Sequence, residues 1–462
     1  MKKALFTLAC FTALIAVSGC GNAEKNPAAT PTPWVITATP TPTNTPTSTP
    51  TPTDTPTPTP IVDIFDGEAY FAPSTSLEKK LAQYYNNFFE KGLLSTGNTY
   101  RLREKLEKAK NGEETTVCYL GGSVTEGEGS SERTPQGYKK GYAYMSYEYI
   151  RDNYGNGDNI KYVNAAISGT GSDLGVVRAD EDVLSYNPDI IFIEFAVNND
   201  TSIFNKMTYE GLVRKCLKAE NEPAVILLFS DATYAGATQV YMKTIGTNYE
   251  LPMVSVRTGL ETPKAREFIL WSDFSADSVH PKTDGHKLYA KLIAYMIKKS
   301  MEDTSYTEYV FNEDASVKAW ATYESTTMID HNDAKGAVVE TGCFTAERTN
   351  FSSTGNSDNH ALLNGWTRKA NSGSDGMKVD LTCQHFVIVT KCVRSSKETS
   401  LDVYVDGELK KTIQTTKSDA WNQPVTTLII NSDDVKHHEI VIKPTAGSEG
   451  TAQTILALAY TK

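Results

Sequence analysis

Between Thr116 and Lys299, short apolar runs alternate with helix-like stretches, and no other feature of this 462-residue chain restricts its fold as strongly. The runs are Val117–Leu120, Tyr162–Ile167, Ile190–Phe195, Val225–Phe229 and Met253–Val256. A continuous apolar run has no polar side, so a strand made from it must be covered on both faces. The stretches between them include Tyr142–Tyr154, Leu174–Tyr186, Tyr209–Ala219 and Gly236–Thr244, and a last amphipathic helix covers about Gly285 to Lys299. Strands that alternate with helices build βαβ units and a parallel sheet. The expectation is an α/β domain over residues 62–302, doubly wound, three-layered and flavodoxin-like, with a five-stranded parallel sheet. Before it, Thr75 and Glu78 have the spacing of a capping box, and Leu77, Leu81, Tyr85 and Phe88 recur at helical intervals until Gly92.

After about Ser305 the helical period is lost. Short β-rich runs follow at Lys378–Leu381, Phe386–Thr390, Leu401–Val405, Thr426–Ile430, Glu439–Ile442 and Thr454–Ala459, with turn signals such as Asp406-Gly407 between them. Residues 303–462 therefore read as an all-β jelly-roll sandwich. Neither region shows an internal repeat.

At the N-terminus, Lys2 and Lys3 precede an apolar run from Ala4 to Val17. It is too short to span a bilayer and has the length of a signal-peptide core. The run ends in Val17-Ser18-Gly19-Cys20, which resembles the lipobox of bacterial lipoproteins. The resemblance implies a signal peptide over residues 1–20 and lipid on Cys20. It also implies a bacterial cell-surface location, with contact to the membrane through that anchor only. An ordinary cleaved signal is the plainer alternative. Residues 21–61 form a linker, and Thr30–Pro60 is nearly pure Thr-Pro alternation. Such a sequence buries no core and extends as polyproline II, at about 3.1 Å per residue.

The net charge of −11 and the lack of a basic run exclude a nucleic-acid partner, which would need a basic face. Of seven cysteines, by that resemblance Cys10 would leave with the signal and Cys20 would carry the lipid. Cys118, Cys216, Cys343, Cys383 and Cys392 remain; they form no disulfide framework and no zinc-finger spacing. A Cys383–Cys392 pair across neighbouring strands is one option.

Open α/β sheets bind ligands beyond the carboxyl ends of their strands, so the residues after each strand carry the chemistry. The first strand leads into Gly121-Gly122-Ser123-Val124-Thr125-Glu126-Gly127. A Ser on such a turn stands beside a helix N-terminus, whose N–H groups face a developing anion. The glycine spacing also fits a phosphate-binding loop, but Glu128 stands where that loop needs Lys. The second strand leads into Ser168-Gly169-Thr170-Gly171, the third into Ala196-Val197-Asn198-Asn199. The α/β region has two histidines, His280 and His286. His280 follows Asp277 by three residues, so a turn would bring the carboxylate to the imidazole and fix its tautomer. His286 falls inside the last helix and reads as structural. A metal site from Asp277, His280 and His286 lacks the compact two-His motif of hydrolytic zinc.

Four blocks, Gly121–Glu126, Asn164–Gly171, Ala196–Asn199 and Asp277–His280, occur in this order. Together they resemble the SGNH hydrolases, also called GDSL esterases. The resemblance implies a carboxylic ester hydrolase with Ser123 as nucleophile, His280 as base and Asp277 as its orienter. It places the oxyanion hole at the backbone N–H groups of Ser123 and Gly169 and the side chain of Asn198, and it requires no metal or cofactor. Two positions depart from the family pattern. Gly122 replaces the acid before the nucleophile, and Ala196-Val197-Asn198-Asn199 replaces Gly-x-Asn-Asp, which leaves Asn199 as a second candidate donor.

The β-rich region resembles the accessory jelly rolls found beside carbohydrate esterases. By that analogy Trp366 and Trp421 are candidate sugar-stacking platforms, although Trp in a sandwich is more often core. The substrate class implied is an acetylated polysaccharide or oligosaccharide of the xylan, mannan or pectin type. The alternatives are O-acetyl groups of peptidoglycan or exopolysaccharide in the cell envelope, a lipase or thioesterase, and a glycan-binding surface lipoprotein without activity.

Overall fold

The computed structural model describes residues 64–234, 236–317, 320–352, 361–397 and 399–462. The expected signal peptide, the lipid site at Cys20 and the Thr-Pro linker lie outside them. The described residues belong to one compact unit.

Six strands form the first sheet: β1 (Leu93–Ser95), β2 (Thr115–Gly121), β3 (Ile160–Ala166), β4 (Ile190–Glu194), β5 (Ala224–Phe229) and β6 (Met253–Ser255). Their order is β1-β6-β5-β4-β2-β3. The five expected strands are parallel, and β1 adds a short antiparallel edge against β6. Alternate side chains enter two different cores. Val117, Tyr119, Phe192, Ile226 and Leu228 pack beneath the helices Tyr142–Tyr154 and Thr283–Glu302. Cys118, Leu120, Ile193, Leu227 and Phe229 pack beneath Ser172–Asp182, Ile203–Leu217 and Ala237–Asn248. A side chain such as Phe192, buried among helices, is worth about 3–5 kcal/mol on truncation to Ala.

The Thr75–Glu78 capping box forms, but the expected helix breaks at Ala82 (φ 41°) into Ser76–Leu81 and Tyr85–Gly92.

Register fixes where the chemistry falls. Gly121 pairs with Ala166 on one side and Glu194 on the other. The ends of β2, β3 and β4 are therefore level, and the turns after them share one edge. β2 runs on to β3 on one side and its neighbour β4 to β5 on the other, so the connections from these two strands leave in opposite directions. Such switch points open a crevice.

The second region is a ten-stranded, mainly antiparallel sheet system. Its strands include β7 (Trp366–Arg368), β8 (Met377–Arg394), β9 (Ser400–Val405), β10 (Glu408–Gln414), β11 (Gln423–Pro444) and β12 (Gln453–Thr461). Runs expected as separate strands are joined. Lys378–Leu381 and Phe386–Thr390 belong to β8, and Thr426–Ile430 and Glu439–Ile442 belong to β11. Register shifts at Cys383/His385 and Phe386/Val387 carry the pairing through the polar interruption, as bulges do. Cys383 and Cys392 are free thiols on one strand, so the option of a bond between them falls.

Strand alternation joins the two regions. Phe386, Ile388, Leu458 and Tyr460 face the sandwich core, whereas Val387, Val389, Ala457 and Ala459 join the α/β core. Arg214 clasps the connecting stretch: it is paired with Glu324 and donates to the carbonyls of Glu313 and Ala315. Trp366 is 2% exposed and packs in the sandwich core with Met377 and Ile455. It presents no face to a sugar, which corrects its reading as a stacking platform. Trp421 is 37% exposed.

Candidate active site

Ser123 opens a one-turn helix, Ser123–Glu126, after the extended Gly122. As the first helical residue its N–H has no intrahelical partner. Close approach requires the two glycines before it. A Cβ at Gly121 would stand 2.1 Å from Thr125 Oγ1 and 2.7 Å from the Glu194 carbonyl; one at Gly122 would stand 2.2 Å from Asn198 Oδ1. The space next to Ser123 is thus filled by Asn198.

His280 comes to Ser123 from 157 residues away, with Nε2 2.9 Å from Oγ. On its other side Nδ1 lies 2.7 Å from Asp277 Oδ2. Asp277 Oδ1 accepts from the amides of Val279 and His280, each at 2.8 Å. Partial burial pulls this carboxyl upward, but the His280 amide, the imidazole and the Val279 amide outweigh it and hold it below the ordinary range. The 277–280 turn is tied down at several points. The His280 carbonyl accepts from Ala276 N and Ser275 Oγ, the Ser278 carbonyl from Thr233 N, and the Asp277 carbonyl from Trp271 Nε1.

The turn after β3 is bonded to the helix Ser123–Glu126, since Ser168 Oγ donates to the buried Glu126 at 2.6 Å. Next to it Gly169 has φ +71°, and a Cβ there would stand 2.8 Å from the Trp421 ring. The second region therefore places an aromatic wall directly on this turn. Tyr234, 65% exposed, lies on the loop bonded to Ser278, and after burial the Asp277 carboxylate is the main charge raising its hydroxyl.

The two asparagines differ in their partners. Asn199 Oδ1 accepts from Ser172 N at 2.8 Å, and its Nδ2 donates to Ser172 Oγ at 2.7 Å and Tyr241 OH at 3.0 Å. Its amide is consumed in holding the helix Ser172–Asp182. Asn198 lies over Gly122, and its buried Oδ1 has no hydrogen-bond partner among the described residues.

His286 is not brought to the site. Its Nδ1 accepts from Tyr142 N, the first amide of the helix Tyr142–Tyr154, and its Nε2 donates to the Glu128 carbonyl. Burial, opposed by that carbonyl, lowers it to about 4. Sequence reasoning missed Glu194. It ends β4 beneath the site, bonded to Thr125 Oγ1 and the Ala196 amide. Burial pushes it up to about 7 against those bonds and the Ser230 hydroxyl.

The family model of the GDSL-like lipases and acylhydrolases matches residues 119–288, a span that holds Ser123, Asn198, Asp277 and His280. This part of the chain is a GDSL-like lipase/acylhydrolase domain. No curated protein matches the sequence. Two crystal structures of a two-domain esterase active on acetylated mannans are similar over both regions. The one co-crystallized with mannopentaose has a TM-score of 0.69 and 26% identity, over 81% of this chain and 98% of that chain. The other has a TM-score of 0.67 at the same identity and coverage. The chain shares with them the order of an α/β domain followed by a β sandwich, and its matched domain is that of a carboxylic ester hydrolase.

Proposed function

We propose that this esterase removes acetyl groups from extracellular polysaccharide through an acyl-enzyme on Ser123. The observation that carries the reading is the contact of Ser123 Oγ with His280 Nε2 at 2.9 Å, continued from Nδ1 to Asp277 at 2.7 Å. His280 takes the Ser123 proton as Oγ attacks the acetyl carbonyl carbon. The oxyanion is held by the N–H groups of Ser123 and Gly169 and by the Asn198 amide, because Asn199 is already committed. The C–O bond to the sugar breaks, and the alcohol leaves with the proton from His280. Water then gives a proton to His280 and attacks the acyl carbon, releasing acetate and restoring the Ser123 hydroxyl. Asp277 holds the imidazole and stabilises its cation.

The glycan class is supported by the two-domain mannan esterase and by two exposed aromatics at the mouth. A chain lying across Ser123 meets Trp421 on the Gly169 side and Tyr234 on the Asp277 side. Lipidation at Cys20 and the Thr-Pro tether would hold this enzyme at the bacterial surface, facing such polymers. The experiment is acetate release from a panel of acetylated mannans, xylans and pectins, with Ser123→Ala as control. Release by the wild type alone supports the reading; turnover of long-chain lipid esters with no acetate from any glycan overturns the substrate class.

A further inference from the structure

Behind the catalytic edge is a buried ion pair that the mechanism leaves unused. Arg178 and Asp182 lie one turn apart on the helix Ser172–Asp182, both buried, with Nη1 3.0 Å from Oδ2. The guanidinium also reaches two strand ends. Nη1 donates to the Ala165 carbonyl in β3 at 2.6 Å, and Nη2 to the Gly121 carbonyl in β2 at 3.4 Å. Gly121 is two residues before Ser123, and Ala165 is four residues before Gly169. One rigid, planar group therefore bridges the strands that carry the nucleophile and an oxyanion donor. The second oxygen of Asp182 accepts the Ala361 amide of the β-rich region at 2.8 Å.

Stability is a poor reason for this arrangement. Replacing a buried ion pair with apolar residues of similar volume is often neutral or stabilising, by about 1–4 kcal/mol. A fork of fixed geometry does what a methylene chain cannot: it sets the spacing of two carbonyls. Spacing matters here, because a misplacement on the order of 1 Å at reacting groups costs about 10²-fold in rate.

We propose that Arg178 is a positioning residue that fixes the Ser123 turn relative to the Gly169 turn, and that Asp182 links this setting to the docked β-rich region through the Ala361 amide. The β-rich region is then part of the catalytic scaffold and not only a sugar-binding appendage. The proposal rests on the roles given above to Ser123 and Gly169.

The test uses the full chain with Ser123 intact and a small aryl acetate, so the glycan assignment does not enter. The double variant Arg178→Met/Asp182→Leu removes both charges while filling the space. The expected result is a cooperative unfolding transition close to that of the wild type, with kcat lowered about 10- to 100-fold and KM within about twofold. A folded double variant with unchanged kcat overturns the proposal. If it does not fold, Asp182→Asn decides, since the amide keeps an acceptor for Ala361 N and loses the charge that orients the guanidinium. Lowered kcat at constant KM supports positioning; wild-type kcat overturns it. Ser123→Ala, assayed beside them, tests the acyl-enzyme reading separately.

Discussion

In the α/β region, β2, β4 and β5 send alternate side chains into two cores, and both faces of the sheet are roofed by helices. In the β-rich region, β8 from Phe386 onward and β12 behave the same way, while the first half of β8 alternates between core and solvent. Lys378, Asp380 and Thr382 are exposed there, but Val387, Val389, Ala457 and Ala459 are covered by the other region. The doubly buried part marks where the sandwich is fastened, and the singly buried part is its free side. The fastened end is also where Trp421 meets Gly169. One region thus carries the proposed nucleophile at the end of a parallel strand, and the other is fixed close enough to wall the turn beside it.

The sharpest test of that division is removal of the hydroxyl. Ser123→Ala should lower turnover of any ester by about 10⁴-fold or more, as loss of a nucleophile does in related triads, with unfolding unchanged. Residual activity near wild type in a purified variant would move the chemistry elsewhere. Next in size is the pair of asparagines. Asn198→Ala should reduce kcat by about 10²–10³-fold with little change in KM. Asn199→Ala should instead cost about 1–3 kcal/mol of stability by leaving Ser172 and Tyr241 unpartnered. Exchange of the two outcomes would reverse their roles.

The parallel strands were legible because five short apolar runs alternate with helix-like stretches, the pattern of a sheet covered on both faces. β1 was not legible, since three residues at an edge carry no period. β8 and β11 read as two strands each, because polar residues near Gln384 and Asn431 look like turns, whereas bulges carry the pairing past them. Ser123 stood out because it follows a strand end, and His280 because the region has only two histidines and this one follows Asp277 by three residues. Asn198 and Asn199 were inseparable by residue type and differ only in what surrounds them. Trp366 and Trp421 were likewise alike until burial divided them. Arg178 gave no signal, because a cation in a helix ordinarily reads as a solvated face.

Acid stability compares the regions at one buried histidine each. Burial lowers His286 in the α/β region and His385 in the sandwich from 6.5 to about 4. A lowered histidine binds its proton more weakly when folded. Its stability contribution is therefore full above the unfolded value of 6.5 and is lost as pH falls toward 4. For His286 this amounts to about 3 kcal/mol. Glu194, raised from 4.5 to about 7, has the opposite sign and loses its contribution as pH rises through 7. Urea unfolding between pH 6.5 and 4 should give a steep fall in stability, and His286→Gln should make it shallower. An unchanged slope would show that the imidazole is not held neutral.

The smallest expected effect tests the contact between the regions most directly. Trp421 is exposed enough to offer a face and sits on the turn that carries Gly169. If it stacks on a sugar beside the reacting ester, Trp421→Ala should raise KM for an acetylated oligosaccharide by about tenfold, close to the 0.5–1.5 kcal/mol of an aromatic contact. The same variant should leave KM for an aryl acetate nearly unchanged, because that ester does not extend to the wall. A kcat loss on both substrates with constant KM would mean something different: the ring supports the left-handed Gly169 turn and acts on the oxyanion donor, not on the glycan. Trp421→Phe separates the two, since it keeps a stacking face while shrinking the contact with Gly169. Recovery of oligosaccharide KM in that variant would place the ring in the substrate path.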